Sequence, residues 1–160
     1  MIYMWCTVSF TYYLLTFQLK YLPGDIYNNS FATAFAELGG ILMGGLLAKF
    51  SGIKYAFSIS FGMCLVGGGC ILLVGQNAGD LMPLFLLISR IGNSSLFNLV
   101  YAANAEMFPT LFAGTAMGIC NLLARICTIF APQVAEYPGS LPIGVFCLLC
   151  AGGLMLSFFI

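Results

Sequence analysis

The stretch FNLVYAANAEMFPTLFAGTAMG, Phe97 to Gly118, sets one acid and a Phe-Pro-Thr triplet between two apolar runs. Pro109 has no backbone N–H and disfavours helix at the residue before it, so a helix arriving from Phe97 stops short of Pro109. A second apolar run begins directly after Thr110. Glu106 therefore falls at a helix end, where a carboxylate reaches water. Two apolar helices joined by a short polar corner are the pattern of a chain that crosses a bilayer and turns back.

Composition extends that reading to all 160 residues. The chain is 61% hydrophobic, 15% aromatic and 6% charged, with a mean hydropathy of +1.04. A soluble domain carries about 25% charged residues. A chain of this length also cannot hide so much apolar surface in a soluble core, so lipid must solvate it. Net charge is zero and no basic stretch occurs, which argues against a nucleic-acid partner. Histidine is absent, which removes the usual general base and the commonest metal ligand. The seven cysteines are Cys6, Cys64, Cys70, Cys120, Cys127, Cys147 and Cys150. Their one CxxC pair, Cys147 and Cys150, lies in an apolar run and reads as helix packing. No catalytic residue, metal site or cofactor is expected.

Cutting at turn residues and charges gives six spans, roughly 1–22, 29–49, 55–75, 81–106, 111–132 and 141–160. The breaks fall at KYLPGDIYNN, AKFSGIKY, GQNAGD, EMFPT and EYPGSLP. The N-terminal run lacks a basic start and a small-residue cleavage site, so it reads as a span. All connections are short, which predicts one antiparallel bundle. Lys49 and Lys54 share the second loop, whereas the third and fifth loops carry no Lys or Arg. The second loop is thus expected in the cytosol, with the fourth loop and both termini. Gly40 with Gly44, and Gly114 with Gly118, form two GxxxG motifs read as helix contacts. The Asn28-Asn29-Ser30 and Asn93-Ser94-Ser95 triplets lie against or inside spans, so neither is expected to carry a glycan.

Three charges sit too deep for helix ends: Glu37, Arg90 and Arg125. Each costs about 2.5–3.5 kcal/mol near the bilayer centre. From the rise per residue, they lie about 12, 13 and 10 Å from the outer ends of their helices. One acid and two bases thus share a slab of the membrane. A purely structural salt bridge needs one acid and one base. A polar cavity with surplus positive charge accommodates the third group. On the cavity reading, spans 2, 4 and 5 line it and spans 3 and 6 face lipid. The first span adds the Tyr12-Tyr13 pair, halfway down, where each hydroxyl needs a partner. Asn121, Arg125 and Thr128 share one face of the fifth span.

AEMFPT followed by GTAMGICNLLARICTIFAP resembles the end of helix 10 and all of helix 11 in the organic cation, organic anion and carnitine transporters of the major facilitator superfamily. SFTYYLL followed by LPGDIYNN resembles their helix 7 and the loop after it. SRIG and then FNLVYAANAE resemble their helix 10. The resemblance implies an all-α fold in which the six spans are helices 7 to 12. Residues 1–160 would then be the C-terminal six-helix half of a twelve-helix transporter, built from two inverted three-helix repeats and lacking its N-terminal half. Both ends of the chain fall inside apolar spans, which agrees with a cut from a longer protein.

The resemblance also implies roles. Glu106 matches a cytosolic gate acid. Lys49 and Lys54 stand where the family has a basic loop. Tyr12, Tyr13, Glu37, Phe97, Tyr101 and Arg125 match cavity positions, and Arg125 matches an Arg typical of organic anion carriers. Arg90 and Asn121 join them from the charge and stripe readings. The chain departs from the family at Ala113, where an Arg is usual. It departs again at Gly45, Lys49, Gly52, Ile53 and Lys54, a reduced form of the family's Asp- and Arg-bearing loop, and at Leu38-Gly39 and Ile41 after the helix 8 acid. The expected function is alternating-access transport of a small organic ion, anion or zwitterion before cation, at the plasma membrane. The alternative is a non-transporting membrane subunit or sensor.

Overall fold

The computed structural model describes residues 1–18, 26–74, 82–137 and 139–159. The first and third connections, with Lys20 and Ala78, and Pro138 lie outside the described residues, as do the side chains of Asn28 and Asn29. The helices are α1 (Ile2–Gln18), α2 (Ile26–Ser51), α3 (Ile53–Val74), α4 (Met82–Met107), α5 (Thr110–Thr128), α6 (Ala131–Ala135) and α7 (Leu141–Ser157). No strand occurs among the described residues. Among the described residues, four segments are long and apolar enough to cross a membrane: Ser30–Ser51, Ile53–Leu73, Pro83–Met107 and Thr110–Ala135. α1 and α7 have 17 residues each, the short end of the spanning range.

Two boundaries differ from the sequence reading. The second loop shrinks to Gly52, whose φ of +83° is left-handed and resisted by any side chain. Glycine there ends α2 and lets α3 start one residue later. The fifth span, expected unbroken over 111–132, divides after Thr128. Continuing the helix would drive the Pro132 ring into the carbonyl of Thr128. Instead the last turn tightens, with the Ile129 N–H donating to Ile126 O at 3.3 Å and the Phe130 N–H to Cys127 O at 3.2 Å. α6 then restarts with Pro132 in its first turn, where the missing N–H costs nothing.

The packing has an internal symmetry. α2 packs on α4 as α5 packs on α1, and α3 packs on α4 as α7 packs on α1. α3 and α7 meet each other, as do α1 and α4. Exchanging α1-α2-α3 for α4-α5-α7 leaves these pairs unchanged, whereas α2 on α3 and α4 on α5 have no counterpart among the described residues. Each set has three helices, an odd number, so the second runs opposite to the first. This is the inverted repeat of a major facilitator half.

α4 is the axis of the bundle, and small and polar residues let its neighbours close on it. A Cβ at Gly40 would strike the Ile91 carbonyl and Ser94, and one at Gly44 would meet the Ser95 backbone, so α2 lies directly on α4. Gly114 and Gly118 do not act this way: a Cβ at either meets nothing within 4 Å. They lie on an open face of α5, because that face has no neighbour in this bundle.

The polar residues of α4, of which the sequence marked Asn93-Ser94-Ser95 only as an unused glycosylation triplet, form its seam. Thr11 Oγ1 donates to Asn93 Oδ1 at 2.9 Å, and Ser94 Oγ to Glu37 O at 2.9 Å. Ser60 and Ser95 hydroxyls meet at 2.8 Å, and Asn104 Nδ2 donates to Ala113 O at 3.1 Å. These bonds tie α4 to α1, α2, α3 and α5. The Thr11–Asn93 and Ser60–Ser95 bonds are buried, where no water is at hand to replace them. Asn93 is fully buried.

Candidate functional site

A cavity of about 350 Å³ opens between α1, α2 and α4. Tyr12, Glu37, Ile41, Ser94, Phe97, Asn98 and Tyr101 line it. One wall is aromatic. Ring centroids of Tyr12 and Phe97 stand 5.4 Å apart, those of Phe97 and Tyr101 5.9 Å, and Trp5 meets Tyr101 edge-on at 4.7 Å. Phe97 and Tyr101 are four residues apart on α4, so helical spacing alone puts them on one face. The facing wall is polar: Asn98 Nδ2 donates to the Ile41 carbonyl at 3.2 Å, and Glu37 reaches in from α2.

Glu37 and Arg90 form an ion pair. Arg90 Nε donates to Glu37 Oε1 at 3.0 Å, and Arg90 Nη2 donates to the same oxygen. The Tyr12 hydroxyl donates to it as well, at 3.1 Å. Arg90 Nη1 donates to the Tyr12 carbonyl at 3.1 Å and to Thr16 Oγ1 at 2.8 Å. Its guanidinium also lies over the Tyr12 ring, 4.3 Å from the centroid. The residue is only 3% exposed. Arg90 therefore stands behind Tyr12, off the cavity wall, and joins α4 to α1 and α2. Glu37 Oε2 takes no hydrogen bond among the described residues, and the Glu37 side chain is 30% exposed on the cavity.

Arg125 reaches the same cluster from the other side. Its Nη1 donates to the Tyr13 hydroxyl at 2.5 Å, and its guanidinium lies 5.9 Å from the Tyr13 ring centroid. Tyr12 and Tyr13 meet edge to face at 5.6 Å. The order across the bundle is thus Glu37, Arg90, Tyr12, Tyr13, Arg125. Among the described residues Arg125 has no carboxylate partner. Thr128 Oγ1 turns back to the Arg125 carbonyl at 2.8 Å and so adds nothing to the site. Asn121 is half-buried, lines no part of this cavity and makes no side-chain hydrogen bond among the described residues.

The three gate candidates share one end of the bundle but do not meet. Glu106 is exposed and has no hydrogen bond or ion pair among the described residues. Lys49 lies near the Phe50 ring at 5.9 Å, and Lys54 Nζ donates to the Phe158 carbonyl at 2.5 Å. No group of three His, Cys, Asp or Glu among the described residues is placed to hold a metal.

An inverted pair of helical triads around a polar, aromatic-walled cavity defines a class: the multi-pass membrane proteins of the major facilitator type. Similar proteins agree. Solute carrier family 22 member 15 of Xenopus tropicalis is 31% identical over 142 residues, covering 84% of this chain and 27% of its own length. Organic cation/carnitine transporter 4 of Arabidopsis thaliana is 31% identical over 159 residues, 92% of this chain and 29% of its own. Organic cation/carnitine transporter 2 of Homo sapiens is 26% identical over 134 residues, 82% and 24% respectively. No family model matches the chain. The chain is therefore a homologue of the solute carrier family 22 and organic cation/carnitine transporters, and a membrane protein as they are. It spans about a quarter of the length of the curated relatives it matches.

Proposed function

We propose that residues 1–160 act as the C-terminal six-helix half of a plasma-membrane organic-ion transporter, and that its substrate is a small organic anion or zwitterion with an apolar body. The complete protein would add an N-terminal half and carry the substrate by alternating access, the two halves rocking around a site between them. No chemical step and no resident cofactor are needed for such a cycle.

One observation carries the charge preference. Glu37 neutralises Arg90, whereas among the described residues Arg125 has only the Tyr13 hydroxyl. A carboxylate or sulfate on the substrate would complete Arg125. Tyr12, Phe97 and Tyr101 supply an apolar and quadrupolar wall for the body of the ligand. The open Glu37 Oε2 adds a place for a cationic end, which is what favours a zwitterion beside a simple anion. Arg125→Ala in the full-length protein should then reduce anion uptake at least tenfold while cation uptake changes less than twofold. Equal loss of both at normal surface expression sinks the assignment. A second reading, a non-transporting subunit or sensor, draws on the separation of Glu106 from Lys49 and Lys54 and on Ala113. It requires that the full-length protein show no saturable uptake of any organic ion.

A further inference from the structure

A second cavity, of about 360 Å³, lies between α1, the C-terminal end of α5 and α7, apart from the polar one. Tyr3, Phe10 and Phe130 wall it, with Val145 and Leu149 from α7. Its rim is open, since Tyr3 and Phe130 are both exposed. Two cysteines line it from packed helices, Cys6 from α1 and Cys127 from α5, close enough for their thiols to interact. Both are free and half-buried. A second pair, Cys64 and Cys150, differs in two respects: both residues are fully buried and neither lines this cavity. Cys120 stands near the first pair but is buried on α5.

We infer that Cys6 and Cys127 form a dithiol site that takes a soft, trivalent thiophilic centre carried on an apolar body, of which an aryl arsenoxide is the simplest case. Two adjacent thiols condense with an arsenoxide without any oxidant. Both S–H bonds and the arsenic–oxygen bond break, two As–S bonds form, and the two protons leave with the oxygen as one water. Arsenic stays trivalent and both sulfurs stay at the thiol oxidation level. The cavity selects the body of the reagent. Its aromatic and aliphatic walls accept a phenyl ring, and its place among membrane-spanning helices excludes a charged reagent. Closing the ring joins α1, which carries Tyr12 and Tyr13, to α5, which carries Arg125.

The test uses phenylarsine oxide on the protein in its membrane, followed by alkylation of the remaining thiols and peptide mass mapping. In the native chain, Cys6 and Cys127 should be protected together, and the protection should be reversed by a dithiol such as 2,3-dimercaptopropanol but not by an equal concentration of a monothiol. A chain retaining only Cys6 and Cys127 should gain one phenylarsine with loss of one water, whereas a chain retaining only Cys64 and Cys150 should gain none until denatured. Cys6→Ser or Cys127→Ser should abolish the monothiol-resistant adduct. Protection of only one of the two cysteines in the native chain, or of Cys64 with Cys150 in their place, overturns the inference. So does an adduct on Cys6 and Cys127 that a monothiol removes as readily as a dithiol. Because the readout is a covalent adduct and not uptake, its failure leaves the transporter reading untouched.

Discussion

Removing the Glu37 carboxylate should harm the fold more than removing the whole Glu37–Arg90 pair. Glu37→Ala deletes the acceptor of two Arg90 N–H groups and the partner of the Tyr12 hydroxyl. Arg90 keeps its bonds to the Tyr12 carbonyl and Thr16 Oγ1, but its charge is left uncompensated on a residue that is 3% exposed. An unpaired charge near the bilayer centre costs about 2.5–3.5 kcal/mol. Glu37 is itself partly open to the cavity, so water already screens part of the pair. The single variant should therefore lose about 2.5 kcal/mol, the low end of that range. Glu37→Ala with Arg90→Met removes the stranded charge and keeps an apolar stem against Tyr12. With both partners gone, no buried charge is left unpaired, the Tyr12 hydroxyl turns to the cavity it lines, and Thr16 still bonds the Tyr12 carbonyl at 2.9 Å, so the remaining loss is smaller than that of the single variant. The double variant should come out roughly 1 kcal/mol more stable than the Glu37 single. Reversible unfolding of the full-length protein in mixed micelles, taken around the full double-mutant cycle, measures this. Additive losses, with the double variant the least stable of the three, refute the reasoning and make Glu37 and Arg90 independent.

Three further outcomes follow from the packing, the topology and the cavity. Gly40→Leu should lower unfolding stability by more than 2 kcal/mol, on the order of a severe overpacking loss, whereas Gly114→Leu, on an open face of α5, should change it by less than about 0.5 kcal/mol in the isolated chain. Ser51→Cys and Ser140→Cys, at opposite ends of the bundle, should label from opposite sides of a sealed membrane, with only Ser140→Cys reached by an impermeant thiol reagent from outside intact cells; the reverse pattern inverts the proposed orientation. Arg125→Lys should restore only part of the anion uptake lost in Arg125→Ala, since an ammonium lacks the planar fork that holds a carboxylate by two bonds; full restoration makes Arg125 a simple point charge.

How much was legible in the sequence depended on which physical signal each feature leaves. The spans were readable because apolar length and turn chemistry are local. Pro109 and Gly52 mark their breaks by what their own backbones permit. The division after Thr128 was missed although Pro132 was in view, because the apolar run continues across it and length outweighed the proline. Glu37, Arg90 and Arg125 stood out since charge is rare in lipid, and depth along each helix put them at one level. Which base pairs with Glu37 was not readable. That choice depends on rotation of α2 and α5 about α1 and α4, set by Gly40, Gly44 and the α4 seam. The seam itself was hidden: Asn93-Ser94-Ser95 was noticed only as a glycosylation triplet, because Ser and Asn in a helix do not show which neighbour they bond. Gly114 and Gly118 misled for the opposite reason: a motif that permits close approach does not supply the neighbour.

The two helices that carry Glu37 and Arg125 are also the least covered of the four segments long enough to span. Only 11% of the most apolar stretch of Thr110–Ala135 is buried and 22% of that of Ser30–Ser51, against 56% for Pro83–Met107. Lipid is an adequate neighbour for the leucines and phenylalanines exposed on these helices. It is a poor one for Arg125, which is exposed and has no carboxylate partner among the described residues, and for the Glu37 oxygen that takes no hydrogen bond among them. α2 and α5 are counterparts in the inverted repeat, so the deficit of cover is symmetric about the polar cavity and not scattered over the bundle. A second helical half set against that face would enclose the cavity, meet Gly114 and Gly118, and give Arg125 either an acid or a substrate. The isolated chain, by this reasoning, should insert into liposomes yet show no saturable uptake, and co-expression with an N-terminal half of a homologous transporter should raise its stability. Saturable uptake of an organic ion by the isolated chain as a monomer overturns this; uptake tied to a dimer makes a second copy the missing half.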